Sequence, residues 1–140
     1  MEFSQLVKIA FLMMVVALLA ACGGGASDGA PEIVLDTTAL ELGDMPNGQI
    51  AEREVVVRND GDAPLVVDTV TTSCGCTTAV LEPMTLAPGE SGTLRIAFDS
   101  GAHGPDLRGP LMREVMIASN DPVTPEAVVA VTANILAPSN

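Results

Sequence analysis

From Glu32 onward the sequence is a succession of short β-branched or alternating apolar runs, each closed by a turn signal, and no stretch there sustains a 3.6-residue apolar period. Such a chain has no amphipathic helix to bury, so its fold has to be built from strands. Glu32 to Leu42 holds one or two of them. Asn47-Gly48, a two-residue hairpin signal, precedes Ile50 to Arg58, where Val55 and Val57 are set to face inward and Glu54, Val56 and Arg58 outward. Asn59-Asp60-Gly61-Asp62-Ala63-Pro64 supplies side-chain turn bonding and a left-handed position at Gly61, as a hairpin into the run Leu65 to Ser73 requires. Glu82-Pro83 and Ala87-Pro88-Gly89-Glu90 bracket a further turn, and Pro88-Gly89 suits the centre of a type II turn. Leu94, Ile96 and Phe98 then alternate with Thr93, Arg95, Ala97 and Asp99. Leu111 to Ser119 and Ala127 to Leu136 complete the set. About seven strands spaced in this way specify an all-β, immunoglobulin-like antiparallel β-sandwich over residues 32–140. With no Trp or Tyr, its core has to come from Val, Leu and Ile around Phe98.

A mean hydropathy of +0.41 is high for a chain with 18 Asp and Glu against 6 Lys and Arg. Part of the excess is local. Met1 to Lys8 is followed by the uncharged run Ile9 to Leu19, which is short for a bilayer span but suits the apolar centre of a secretory signal. Leu19-Ala20-Ala21-Cys22 behind it resembles the bacterial lipobox. There the Cys thiol is diacylglycerylated, the chain is cut before it, and the new amine is acylated, giving several buried chains at about 0.8 kcal/mol per methylene. Residues 1–21 are therefore expected to be a signal peptide, and 22–31 a lipidated Cys with a flexible Gly-rich tether. The tether would reach roughly 15–18 Å. Gly23, rather than Asp, after the lipidated Cys favours the periplasmic face of an outer membrane.

Removing residues 1–21 takes Glu2 and Lys8 together, leaving 5 Arg against 17 acids and the net charge at −12. That charge repels phosphate backbones and excludes nucleic acid as a partner; Phe98 alone makes no stacking platform. The carboxylates read as a solvated surface.

Chemistry narrows to Ser73-Cys74-Gly75-Cys76-Thr77. Two thiols at i and i+2, with Gly between them to permit a tight turn, can close a local disulfide, act as two soft metal ligands, or exchange with other thiols. Export favours oxidation. Copper(I) is the metal such a pair would take, with His103, together with Met84, Met112 or Met116, as added ligands. No Gly-x-Ser-x-Gly elbow is present, and Asn59-Asp60-Gly61-Asp62 lacks the later ligands of a calcium loop.

Four motifs in succession, Asn59 to Leu65, Val70 to Thr77, Leu86-Ala87-Pro88-Gly89-Glu90 and Ser119-Asn120-Asp121-Pro122, resemble those of the bacterial domain-of-unknown-function family 1573, itself similar to the immunoglobulin-like ASPM, SPD-2 and Hydin domains. The resemblance spans about Leu35 to Ile135 and implies a seven-stranded sandwich, envelope localisation and no established enzymatic activity. The expected function is a non-enzymatic, lipid-anchored envelope module that contacts another envelope protein, for instance through an exposed sheet edge. The alternative is an envelope copper-binding or thiol-redox protein working through Cys74 and Cys76. The anchor is tested directly: Cys22→Ala should move the protein from the membrane fraction to the soluble one, and unchanged partitioning would remove the lipoprotein reading.

Overall fold

The computed structural model describes residues 29–137. The signal segment, Cys22 and most of the tether lie outside the described residues. Nine strands are present among those described: β1 (Ile33–Leu35), β2 (Ala39–Pro46), β3 (Ile50–Asn59), β4 (Leu65–Thr72), β5 (Thr77–Glu82), β6 (Thr85–Leu86), β7 (Ser91–Asp99), β8 (Gly109–Ser119) and β9 (Glu126–Leu136). They form two sheets, ordered β1-β3-β7-β5 and β2-β9-β8-β4-β6, stacked as an immunoglobulin-like sandwich. Val55 and Val57 face inward and Glu54, Val56 and Arg58 outward, as the alternation requires.

Several expectations are corrected. The strands number nine rather than seven. In β5, Thr77 and Leu81 are buried and Ala79 half-buried against exposed Thr78, Val80 and Glu82, but this six-residue alternation is hidden between the cysteines and Pro83. The second sheet is not purely antiparallel, because β2 pairs in parallel with β9, from Ala39↔Ala130 to Pro46↔Leu136. The reason is local: β1 and β2 are one extended stretch, and Asp36 to Thr38 moves it from one sheet to the other without reversing it. Asn47-Gly48 is likewise no hairpin, since β2 and β3 belong to different sheets, and Asn59 to Pro64 also crosses between sheets.

Gly61 does not occupy a left-handed position. A Cβ there would overlap the carbonyl of Ala30 and the backbone of Pro31 and Glu32, so it is glycine because the incoming chain passes over it. Gly89, by contrast, has φ +79°, and Glu90 N donates to Ala87 O at 2.9 Å, as a type II turn demands.

The main core is aliphatic, with Val55, Val57, Leu94, Val115, Ile117 and Val129 among its buried residues. Each such side chain contributes about 1.5–3 kcal/mol relative to exposure. Phe98 is not its centre. It belongs to a smaller cluster at one end of the sandwich, with Met45, Cys76, Ala133 and Ile135.

At the opposite end, polar side chains tie the elements together. Asn59 is fully buried, and its amide donates to Ala63 O (2.8 Å) and Leu86 O (3.0 Å) while accepting from Gly61 N (3.0 Å) and Glu32 N (3.2 Å). Asp121, 2% exposed, accepts from Ile33 N and Val123 N, both at 2.8 Å, and from Thr124 N at 3.0 Å. Burial alone would raise the Asp121 pKa, but the three backbone N–H bonds outweigh it and hold the group below its ordinary value.

A depressed folded pKa means that this contribution is complete above the unfolded-state value, about 4, and is lost as pH falls through the folded one. Stability measured by denaturant should therefore decline as pH drops below about 5. Asp121→Asn should cost about 1–3 kcal/mol at neutral pH and flatten that decline. Asn59→Ala, which strands two carbonyls and two N–H groups, should cost about 3 kcal/mol with little pH dependence. An unchanged acid slope in Asp121→Asn would show that another carboxylate governs it.

Candidate functional site at the cysteine pole

β4 ends at Thr72 and β5 begins at Thr77 in the other sheet, so Ser73 to Cys76 bridges the two layers at the end that Phe98 fills. Each flank is held. Thr72 Oγ1 lies 3.0 Å from both Cys74 O and Thr77 O. Ser73 N donates to Glu114 O, and Glu114 N to Ser73 Oγ, both at 2.9 Å. Asp99 N donates to Cys76 O at 2.8 Å. The bridge is thus fastened to β8 on one side and β7 on the other.

Within it Cys74 and Cys76 are joined by a disulfide, with Cα atoms 5.3 Å apart. Cys76 is buried, and Cys74 half-buried beside the Phe98 cluster. Thr77 Oγ1 stands 3.4 Å from Cys74 Sγ and 3.8 Å from Cys76 Sγ, and Cys76 N donates to Cys74 Sγ at 3.3 Å. Gly75 is not forced by its backbone: its φ is not left-handed, and a Cβ there would meet nothing within 4 Å. The expectation that glycine is needed to permit the turn is therefore corrected.

His103 lies in the loop between β7 and β8, and this loop is tied down. The buried Asn47 amide donates to Gly104 O (2.9 Å) and Leu107 O (3.2 Å). Ser100 Oγ, fully buried, accepts from Gln49 N at 2.9 Å and stands 2.9 Å from the carbonyls of Pro46 and Gln49. A Cβ on Gly101 would come within 2.9 Å of Gly48 Cα, which shows how closely the two turns pack. Asn47-Gly48, which makes no hairpin, instead docks the His103 loop. An imidazole nitrogen of His103 and the sulfurs of Cys74 and Cys76 consequently lie within 4.8 Å of one another.

Met84 is not brought to this group. The extended β5 separates it from Cys76 by roughly 20 Å, and Met84 O accepts from Val67 N near the start of β4, at the other end of the sandwich. The idea that a turn folds it back onto the cysteines fails on that geometry. The thioether that does join the cysteine cluster is Met45, 6% exposed and placed by its pairing with Ile135. No local signal in the sequence could have found it, because the pairing is between the second and last strands.

The fold is shared with known structures. A protein of unknown function from Porphyromonas gingivalis W83 is 29% identical with a TM-score of 0.64, over 74% of this chain and 46% of that one. This chain therefore spans about half the length of that protein. The ASH/PapD-like domain 7 of human CEP192 matches with a TM-score of 0.59 at 9% identity, over 79% and 89% of the two chains. The E. coli chaperone DraB matches at 0.52 and 18% identity, over 79% and 58%. Part of the Vibrio cholerae VesB protease has a similar fold too, so at these identities the likeness shows architecture and no activity. No curated protein matches the chain. Residues 33–135, which carry the Asn59 turn, the Cys74-Cys76 bridge, the Gly89 turn and the Asp121 clamp, match a family model throughout, and the chain belongs to the family described as protein of unknown function (DUF1573).

Proposed function

We propose that the protein is a non-enzymatic, lipid-anchored module of the cell envelope that binds another envelope protein by accepting a strand along β5. The observation that carries this reading is the difference between β5 and the other sheet edges. β1 has three residues and β6 two, too short to template a partner. β2 is interrupted by a register shift between Glu41 and Asp44, carries both of those acids and ends in Pro46. These are the usual protections of an edge. β5 is six residues long, keeps an unbroken register with β7 and is uncharged up to Glu82.

Backbone geometry adds detail. Because Asp99 N donates to Cys76 O, the alternating ladder directs the groups of Thr78, Val80 and Glu82 to β7. Those of Ala79 and Leu81 point away from it, toward a fifth position in that layer's order. Val80 is 56% exposed on the outer face, next to a shallow groove lined by Thr78, Ala97 and Arg95. Arg95 is held there between Glu54 (3.2 Å) and Glu82 (3.4 Å). An extended peptide could add main-chain bonds at β5 and lay one apolar side chain against Val80.

The lipobox-like Leu19 to Cys22 supports anchoring, and Gly23 supports the periplasmic face of the outer membrane. Residue-specific photocrosslinking from position 80 in the native envelope should give one discrete adduct. A crosslinker at Val123, 87% exposed at the other pole, should not give it. Ala79→Pro removes an outward N–H without touching the β7 ladder and should abolish the adduct while leaving the fold intact. Equal adducts from positions 80 and 123, or an adduct that survives Ala79→Pro in the folded protein, would overturn strand addition at β5.

A further inference from the structure

We infer that reduction of the Cys74–Cys76 disulfide opens a three-coordinate copper(I) site made of Cys74 Sγ, Cys76 Sγ and the His103 imidazole, which the intact disulfide keeps closed. The inference is independent of the β5 reading. Metal bonds to thiolate and imidazole are about 2.0–2.3 Å, so two donors on one ion lie within about 4.6 Å of each other. The three donor atoms here lie within 4.8 Å, close to that limit, contributed by two separate loops that are each hydrogen-bonded in place. Only the sulfurs have to part, and Cys74, half-buried with an open position at Gly75 beside it, has room to turn.

The donor set selects the ion. Two thiolates and one imidazole fill a trigonal copper(I) shell but leave a tetrahedral zinc shell one ligand short. The sulfurs border the apolar cluster of Phe98, Met45 and Ile135, whose side chains offer no oxygen or nitrogen as that fourth ligand. Met45 adds a third soft, polarisable sulfur to those surroundings.

The redox step balances with a dithiol reductant. Its two thiols are oxidised to a disulfide, two electrons and two protons pass to the protein, and the bond between the two Sγ atoms breaks to give two thiols. Binding of copper(I) then releases those two protons as the two copper–thiolate bonds form, and neutral imidazole donates its lone pair. The oxidised protein offers no thiolate and hence no site.

The test uses the full chain carrying Cys22→Ala, which leaves Cys74 and Cys76 as its two cysteines, in competition with a chromogenic copper(I) chelator. The reduced form should take up one equivalent of copper(I) with a thiolate-to-copper charge-transfer band, and the disulfide form should take up none. His103→Ala, an exposed substitution that leaves the fold intact, should weaken the reduced site about tenfold or more. Cys74→Ser should remove the band. Equal uptake by the oxidised and reduced forms, unaltered affinity in His103→Ala, or tighter retention of zinc than of copper(I) under reduction would each overturn the assignment.

Discussion

The side chain of Asn59 is where the sandwich is tied into one piece. Its amide bonds to the β3–β4 turn, to the end of β6 and to the chain arriving at β1, while its backbone exchanges bonds with Glu90 and Gly89 at the start of β7. A core made mainly of Val, Leu and Ile favours burial but discriminates weakly between alternative packings of similar volume. A buried amide with every lone pair and proton engaged discriminates strongly, because any other register leaves some of those groups unpaired in a low-dielectric interior. Asp121 does the same for the β8–β9 turn, clamping it to Ile33 in the opposite sheet. In a chain with one aromatic residue after the lipobox-like segment, these two polar residues do the specifying that a large aromatic pin does elsewhere.

That arrangement explains what could and could not be read from the residues. The inward Val55 and Val57, the type II turn at Gly89 and the sandwich class follow from period-two alternation and from turn chemistry, both local properties. The parallel pairing of β2 with β9 is not local, and neither is the cross-sheet course of Asn47-Gly48. Asn-Gly reads as a hairpin only if the flanking strands share a sheet, and nothing within ten residues of it says that they do not. Gly61 shows the same limit in miniature, because its constraint is the passage of Ala30 to Glu32 overhead. At the cysteine pole, the pair itself is legible from spacing. His103 is brought to it by Asn47, 56 residues earlier in the chain, and Met45 by its pairing with Ile135.

The two poles consequently have different work. Motifs at the Asn59 end are consumed by structure, since nearly every polar group named there has its partner. The chain arrives at that end, with Ala30 O and Glu32 O accepting from Asp62 N and Asp60 N. The cysteine pole lies at the far end of β7, whose 9 residues span roughly 30 Å from Ser91, beside Arg58, to Asp99, which bonds Cys76 O. Under the anchoring proposed above, attachment through Cys22 would therefore hold Cys74, Cys76 and His103 away from the membrane, while leaving β5 exposed along the side.

The disulfide gains its meaning from how little it stabilises. Cross-linking restricts the unfolded chain in proportion to the logarithm of the loop it closes, and a loop spanning two residues gives less than about 2 kcal/mol by that relation, against about 3 for a 15-residue loop. The hydrogen bonds from Thr72, Ser73 and Asp99 hold the bridge whether or not the sulfurs are joined, and a reduced Cys76 remains a small apolar side chain against Phe98. The fold can therefore lose this bond without losing its shape. A long-range disulfide could not open and close without loosening the sandwich, whereas this one changes only the donor chemistry presented beside His103.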